Sequence, residues 1–190
     1  MFSHKMLKAA AHICANHMRP VSERWAKFGR KRSWQEHTPK GGVCLSSFVI
    51  VRKGDSVLMG IPKASKAWPE KGGYPEFAAK RLEKNRSWLL PATHLLMEES
   101  PDEAANRVVH EWAGLEGQPR FTGIQSHTHD SGRVEGYNHW DICFLYEMKA
   151  NALPDKKAWW SEVRFIPISE VRKLKIGRGH RDVLEMAGYI

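Results

Sequence analysis

Glu99, Arg107 and Glu111 lie in the run "EESPDEAANRVVHEWAGLEG" at intervals that a helix would bring to one side. Two carboxylates flanking a guanidinium can hold a cation, meet a phosphate, or neutralise one another. At about 100° per residue, Arg107, Val108, Glu111 and Trp112 fall within an arc of about 140°, whereas His110 stands about 200° from Val108 on the far side. Mg²⁺ takes an octahedral oxygen shell, usually from carboxylates together with substrate phosphates and water. The arc supplies one carboxylate, Glu111, with Glu99 at the approach to the helix, enough for one weakly held Mg²⁺ or Mn²⁺. The plainer expectation for Glu99 and Arg107 is a clamp between the preceding loop and the helix. Glu111 is then a second partner for Arg107, and Trp112 a core side chain or a stacking surface for a base.

A second constellation is "SHTHDSGRVEGYNHWD", which gathers His127, His129, Asp130, Glu135, His139 and Asp141. If the run is a strand, alternation puts His127 and His129 on one face, a spacing that suits zinc; a polar hairpin loop explains the same composition. The chain holds eight tryptophans. Trp68 in "KAWPEKGG" and the pair Trp159–Trp160 stand beside lysines, a texture that fits base stacking or cation–π contact as well as a groove wall.

The elements that must position these side chains are legible. Ser100 is an N-cap, Pro101 suits the first helical position, and Glu103 completes an S-x-x-E capping box. Gly114 ends the helix at a left-handed residue. "VCLSSFVIVR" (43–52) and "VLMGI" (57–61) are strands joined by the turn "KGDS" into a hairpin. Residues 62–86 mix loop with polar helix, and "SWLLPATHLL" is an extended segment broken at Pro91. Phe121 to Asn138 is a polar loop or edge segment. "WDICFLYEM" and "VRFIPI" are strands, with "SEVRKL" and "HRDVLEMAGYI" as short helices behind them. Strands interleaved with a central and a terminal helix predict an α/β sandwich.

The stretch from Thr93 to Leu115 resembles the box of the Nudix hydrolases: Gly, five residues, Glu, seven residues, Arg-Glu-apolar-x-Glu-Glu-x-Gly-apolar. Thr93 falls at the first Gly, Glu99 at the first Glu, Arg107 at the Arg, Val109 at the apolar position, Glu111 at the next Glu, and Gly114 and Leu115 at the last two. The opening hairpin and the closing "EVRFIPISEV" are also similar to that family, over residues 40–190 in all. The resemblance implies a Nudix-type α/β/α sandwich with a mixed sheet. It implies Glu99 and Glu111 as metal ligands and catalytic carboxylates, with Glu135 as the acid beyond the box that serves as base. Arg107, Trp112, Trp68 and His94 become candidate ligand-binding side chains. Three departures stand against catalysis: Val108 and Trp112 replace glutamates, and Ala92-Thr93 replaces a Gly-Gly turn. Water needs a metal to attack at neutral pH, so hydrolysis is expected to be weak or absent. Restoring both glutamates is expected to bring metal binding back.

Charge adds a second layer. Residues 1–40 hold nine Lys/Arg against Glu23 and Glu36, net +7 of the chain's total of +9. That asymmetry predicts a basic N-terminal extension (1–39), helical over its first eighteen residues, on a near-neutral domain (40–190). The same opening residues, free of acids, also suit an organelle transit peptide. Three scattered cysteines without a C-x-x-C pair indicate a reducing compartment, so the expected location is cytoplasmic, and no apolar run is long enough for a membrane helix. The expected function is recognition of a nucleotide, a diphosphate-linked metabolite or RNA. The alternatives are a divergent but active Nudix hydrolase and a structural subunit of a ribonucleoprotein.

Overall fold

A computed structural model describes residues 43–65, 76–96, 99–129, 139–155, 157–177 and 179–190. The basic extension, Trp68 and Glu135 lie outside the described residues. Along the chain run β1 (Val43–Lys53), β2 (Ser56–Pro62), α1 (Glu76–Lys84), β3 (Ala92–His94) and α2 (Pro101–Arg107), which continues as a π turn over Val108–Trp112. They are followed by β4 (Arg120–His129), β5 (His139–Lys149), β6 (Trp160–Pro167), α3 (Ile168–Val171) and α4 (His180–Met186).

The strands form one mixed sheet in the order β4-β5-β1-β2-β6, with β3 also paired to β1. β1 and β5 run parallel in unbroken register from Val43↔Trp140 to Arg52↔Lys149. On its other edge β1 is shared: its last residues meet β2 across the turn at Gly54, and Ser46 to Phe48 meet β3. Because β1 is covered on both faces, its sequence is a nearly continuous apolar run. Val49 and Val51 pack with Ala105, Val108, Val109 and Trp112 on the α2 side. Phe48 and Ile50 pack with Val183 and Leu184 of α4 on the other. Helices therefore cover both faces of a mixed sheet, as the sequence predicts.

The helix start is as expected. Ser100 Oγ accepts from Glu103 N and Glu103 Oε2 accepts from Ser100 N, with Pro101 at the first turn. Gly114 carries φ +62° beyond the helix end. Of the two readings open for the segment from Phe121, the edge strand holds for Phe121 to His129, because β5 provides an antiparallel ladder for it, bulged between Phe121 and Gly123. The expected uniform helical rotation fails after Arg107, where hydrogen bonds span five residues and the faces shift accordingly.

Two buried phenols tie the layers together. Tyr146 on β5 donates to Asp102 Oδ1 of α2 at 2.6 Å, and Tyr189 donates to Glu147 Oε1 at 2.8 Å. Burial first, and then the accepting carboxylates, hold both hydroxyls protonated above the ordinary phenol range, Tyr189 up to about 12. The folded state thus binds these protons more tightly than the unfolded chain. Their contribution is complete below pH of about 10 and is lost as pH rises through about 12. Urea midpoints are expected to stay level to that point and then fall; a midpoint unchanged above pH of about 11 would refute the linkage.

Candidate ligand-binding site

Arg107 and Glu99 form a half-buried ion pair on the α2 side. Arg107 Nε donates to Glu99 Oε1 at 2.5 Å and Nη2 to Glu99 Oε2 at 2.8 Å, a two-pronged pair. Nη2 also donates to the His94 carbonyl at 3.0 Å, and Nη1 to Thr93 Oγ1 at 3.3 Å. Leu96 N donates to Glu99 Oε2 at 2.7 Å. The guanidinium thereby fastens the end of β3, the following loop and the helix into one piece. Side-chain exposure of 13% for Arg107 and 10% for Glu99 means that neither charge is left to bulk water.

The next turn is apolar. Val108 is 0% exposed and Trp112 2%. The Trp112 indole meets Trp160 edge-on, with ring centroids 5.6 Å apart, and Trp160 Nε1 donates to the Trp112 carbonyl at 2.8 Å. Trp160 in turn lies against Gly60, where a Cβ would come within 2.6 Å of the ring. Two indoles thus fill the space under this turn. His110 faces outward, 3.4 Å from Glu116, on the side away from Val108. Glu111 is half-buried at the boundary.

Gly114 is required twice, by its left-handed backbone and by Asp155, whose side chain would lie 2.5 Å from an added Cβ. Asp155 N also donates to the Ala113 carbonyl at 2.7 Å, pinning the 150–155 loop over the helix end. Gly114→Ala is expected to cost about 1–3 kcal/mol, combining left-handed strain with displacement of that loop. A shift of less than about 0.5 kcal/mol in chemical denaturation would show that the loop yields freely.

Beyond the helix, the same face of the sheet is only partly covered by the described residues. Register pairs place Thr93, Ser47, Phe144 and Ile124 in one row across β3, β1, β5 and β4. Ser47 Oγ donates to the Pro101 carbonyl at 2.9 Å, so the start of α2 covers that end of the row. At the other end no described residue covers the row: Ile124 is 57% exposed and Phe121 47%, while Phe144, Ile142 and Leu45 are half-buried. Phe121 shares this face only because the ladder slips between Phe121 and Gly123, so Phe121 and Ile124 point the same way although three residues apart. The result is an apolar shelf flanked by the α2 N-terminus. None of these residues stood out in the sequence; Gly123, an isolated glycine in a polar run, was the one available sign of a bulge.

No family model matches the chain, and no curated protein matches it in sequence. Solved structures do. A MutT protein from Methanosarcina mazei Go1 superposes with a TM-score of 0.55 at 14% identity, over 77% of this chain and 94% of that one. The NUDIX domain of Shewanella oneidensis NrtR, solved with ADP ribose, gives 0.53 at 16% identity over 76% and 85%. A bifunctional NMN adenylyltransferase/ADP ribose pyrophosphatase from Francisella tularensis, complexed with AMP and a Mn ion, gives 0.51 at 15% identity over 90% of this chain and 46% of that one.

The chain has the Nudix fold.

Within that fold the donor set along α2 does not fit a pair of divalent ions. Glu99 gives its oxygens to Arg107 and Leu96 N, and Val108 and Trp112 offer none. Among the described residues no group of three or more His, Cys, Asp or Glu side chains is arranged to hold a metal. The structure brings Glu99, Arg107 and His94 together, the last through its carbonyl, and seats Trp112 in the core. His127 and His129 belong to β4, with their side chains outside the described residues. No described helix is long and apolar enough to cross a membrane.

Proposed function

We propose that this protein uses the Nudix fold to bind a nucleotide or a diphosphate-linked metabolite, with weak or no hydrolysis. The shelf of Phe144, Ile124 and Phe121 beside α2 carries the reading, since a base or nucleoside can lie flat on it. The filled space around Trp112 supports the second half: the box positions that would carry metal-binding glutamates supply core packing instead. The NrtR domain solved with ADP ribose makes that compound the first ligand to try. Residues 40–190 form the binding domain in this reading, and residues 1–39 are a basic arm that adds affinity for phosphate-rich partners, RNA included.

Calorimetric titration with ADP-ribose, nucleoside di- and triphosphates, dinucleoside polyphosphates and 5′-triphosphorylated RNA tests it, alongside product assays in Mg²⁺ and Mn²⁺. The expected result is saturable binding without turnover. Phe144→Ala should weaken it by about tenfold, the worth of one stacked base. Metal-dependent turnover that Glu111→Gln abolishes would overturn the proposal in favour of a divergent hydrolase. A second reading, a ribonucleoprotein subunit, draws on the charge of the arm. It predicts co-purification with nuclease-sensitive RNA and affinity that falls steeply with salt.

A further inference from the structure

The face of the sheet turned away from α2 carries a different kind of chemistry. Cys44 on β1 is buried, and its Sγ lies 2.8 Å from Nδ1 of His94 on β3. The ring's other nitrogen is 3.7 Å away, so Nδ1 faces the sulfur. His94 pairs with Ser46 across the strands and Cys44 with Asp141, placing thiol, imidazole and a buried carboxylate on one patch of sheet. The imidazole is held in place from behind, because the His94 carbonyl is an acceptor for Arg107 Nη2 at 3.0 Å.

We propose that Cys44 is a site of covalent oxidation by hydroperoxides, with His94 as the base that takes the thiol proton. The thiolate, not the thiol, is the nucleophile, and a base at hydrogen-bond distance supplies it where needed. Transfer of the proton to Nδ1 leaves a thiolate that attacks the terminal oxygen of the peroxide. An S–O bond forms, the O–O bond breaks, and the departing hydroxide (or alkoxide) takes the proton back from the imidazolium. With hydrogen peroxide the balance is thiol plus peroxide giving sulfenic acid plus water, sulfur being oxidised and peroxide oxygen reduced. Cys44 is 3% exposed and His94 half-buried, so the site is expected to discriminate for a water-sized oxidant and against a bulky reagent.

Cys143 shares the face and is also buried, but it pairs with Ser46, one row along from Cys44. Strand spacing of about 4.8 Å and a two-residue offset of about 6.6 Å put the two Cα atoms about 8 Å apart, beyond disulfide reach. The sulfenic acid therefore does not close onto Cys143, and Cys143 serves as an internal control.

The test exposes the folded full-length chain to hydrogen peroxide and follows oxygen addition at each cysteine by peptide mass mapping. Cys44 is expected to oxidise at least about tenfold faster than Cys143. His94→Ala should slow Cys44 by about a hundredfold, the lower range for loss of a positioned base, with Cys143 unchanged. If His94→Ala fails to fold by circular dichroism, His94→Asn gives the same readout with a polar side chain kept in place. Equal oxidation of Cys44 and Cys143, no oxidation of Cys44 in the folded chain, or a Cys44 rate indifferent to both variants would each overturn the assignment.

Discussion

Trp112→Glu is expected to unfold this domain rather than return a metal ligand to it. The sequence alone suggests the opposite outcome, since the substitution rebuilds a Nudix box. In the folded chain, however, the Trp112 side chain is 2% exposed and packed against Trp160, which itself leans on Gly60. Removing a buried tryptophan costs about 3–5 kcal/mol in lost contacts and cavity. An unpaired carboxylate placed there adds several kcal/mol more, roughly, unless it takes up a proton. The total approaches the whole stability of an ordinary domain, about 5–15 kcal/mol. Val108→Glu meets the same objection at a fully buried position. Urea denaturation and near-ultraviolet circular dichroism would register the loss. A folded Trp112→Glu protein that gains affinity for Mn²⁺ would show that the pocket under α2 reopens.

Arg107→Ala is the second large effect. Its guanidinium serves Glu99, Thr93 and the His94 carbonyl together, and no other described residue spans β3, the loop and the helix in this way. Truncation leaves the Glu99 carboxylate buried with, among the described residues, the Leu96 amide donating to it at 2.7 Å. Breaking a buried pair from one side costs about 3–5 kcal/mol. Glu99→Gln should cost less, about 1–2 kcal/mol, because an amide oxygen still accepts from Leu96 N. Arg107→Lys should recover little, since an ammonium cannot make the two-pronged contact. In a double-mutant cycle, coupling between positions 99 and 107 should exceed about 2 kcal/mol; a value below about 0.5 kcal/mol would leave the clamp without energetic weight.

The sequence by itself determined the parts whose causes are local. The cap at Ser100, the end at Gly114, the hairpin across "KGDS" and the apolar run of β1 follow from side-chain chemistry and periodicity within a few residues. The spacing of Glu99 and Arg107 foretold their pairing for a similar reason, because one loop and two helical turns separate them. Tertiary structure decided the rest. The π turn after Arg107 departs from the uniform rotation assumed from the sequence, and no local residue pattern announced it. β4 became a strand because β5 offered a ladder to an otherwise polar segment, and its bulge put Phe121 beside Ile124. Cys44 met His94, fifty residues away, only through the fork of β1 between β2 and β3. Contacts between distant segments depend on register and sheet order, which no short window of residues contains.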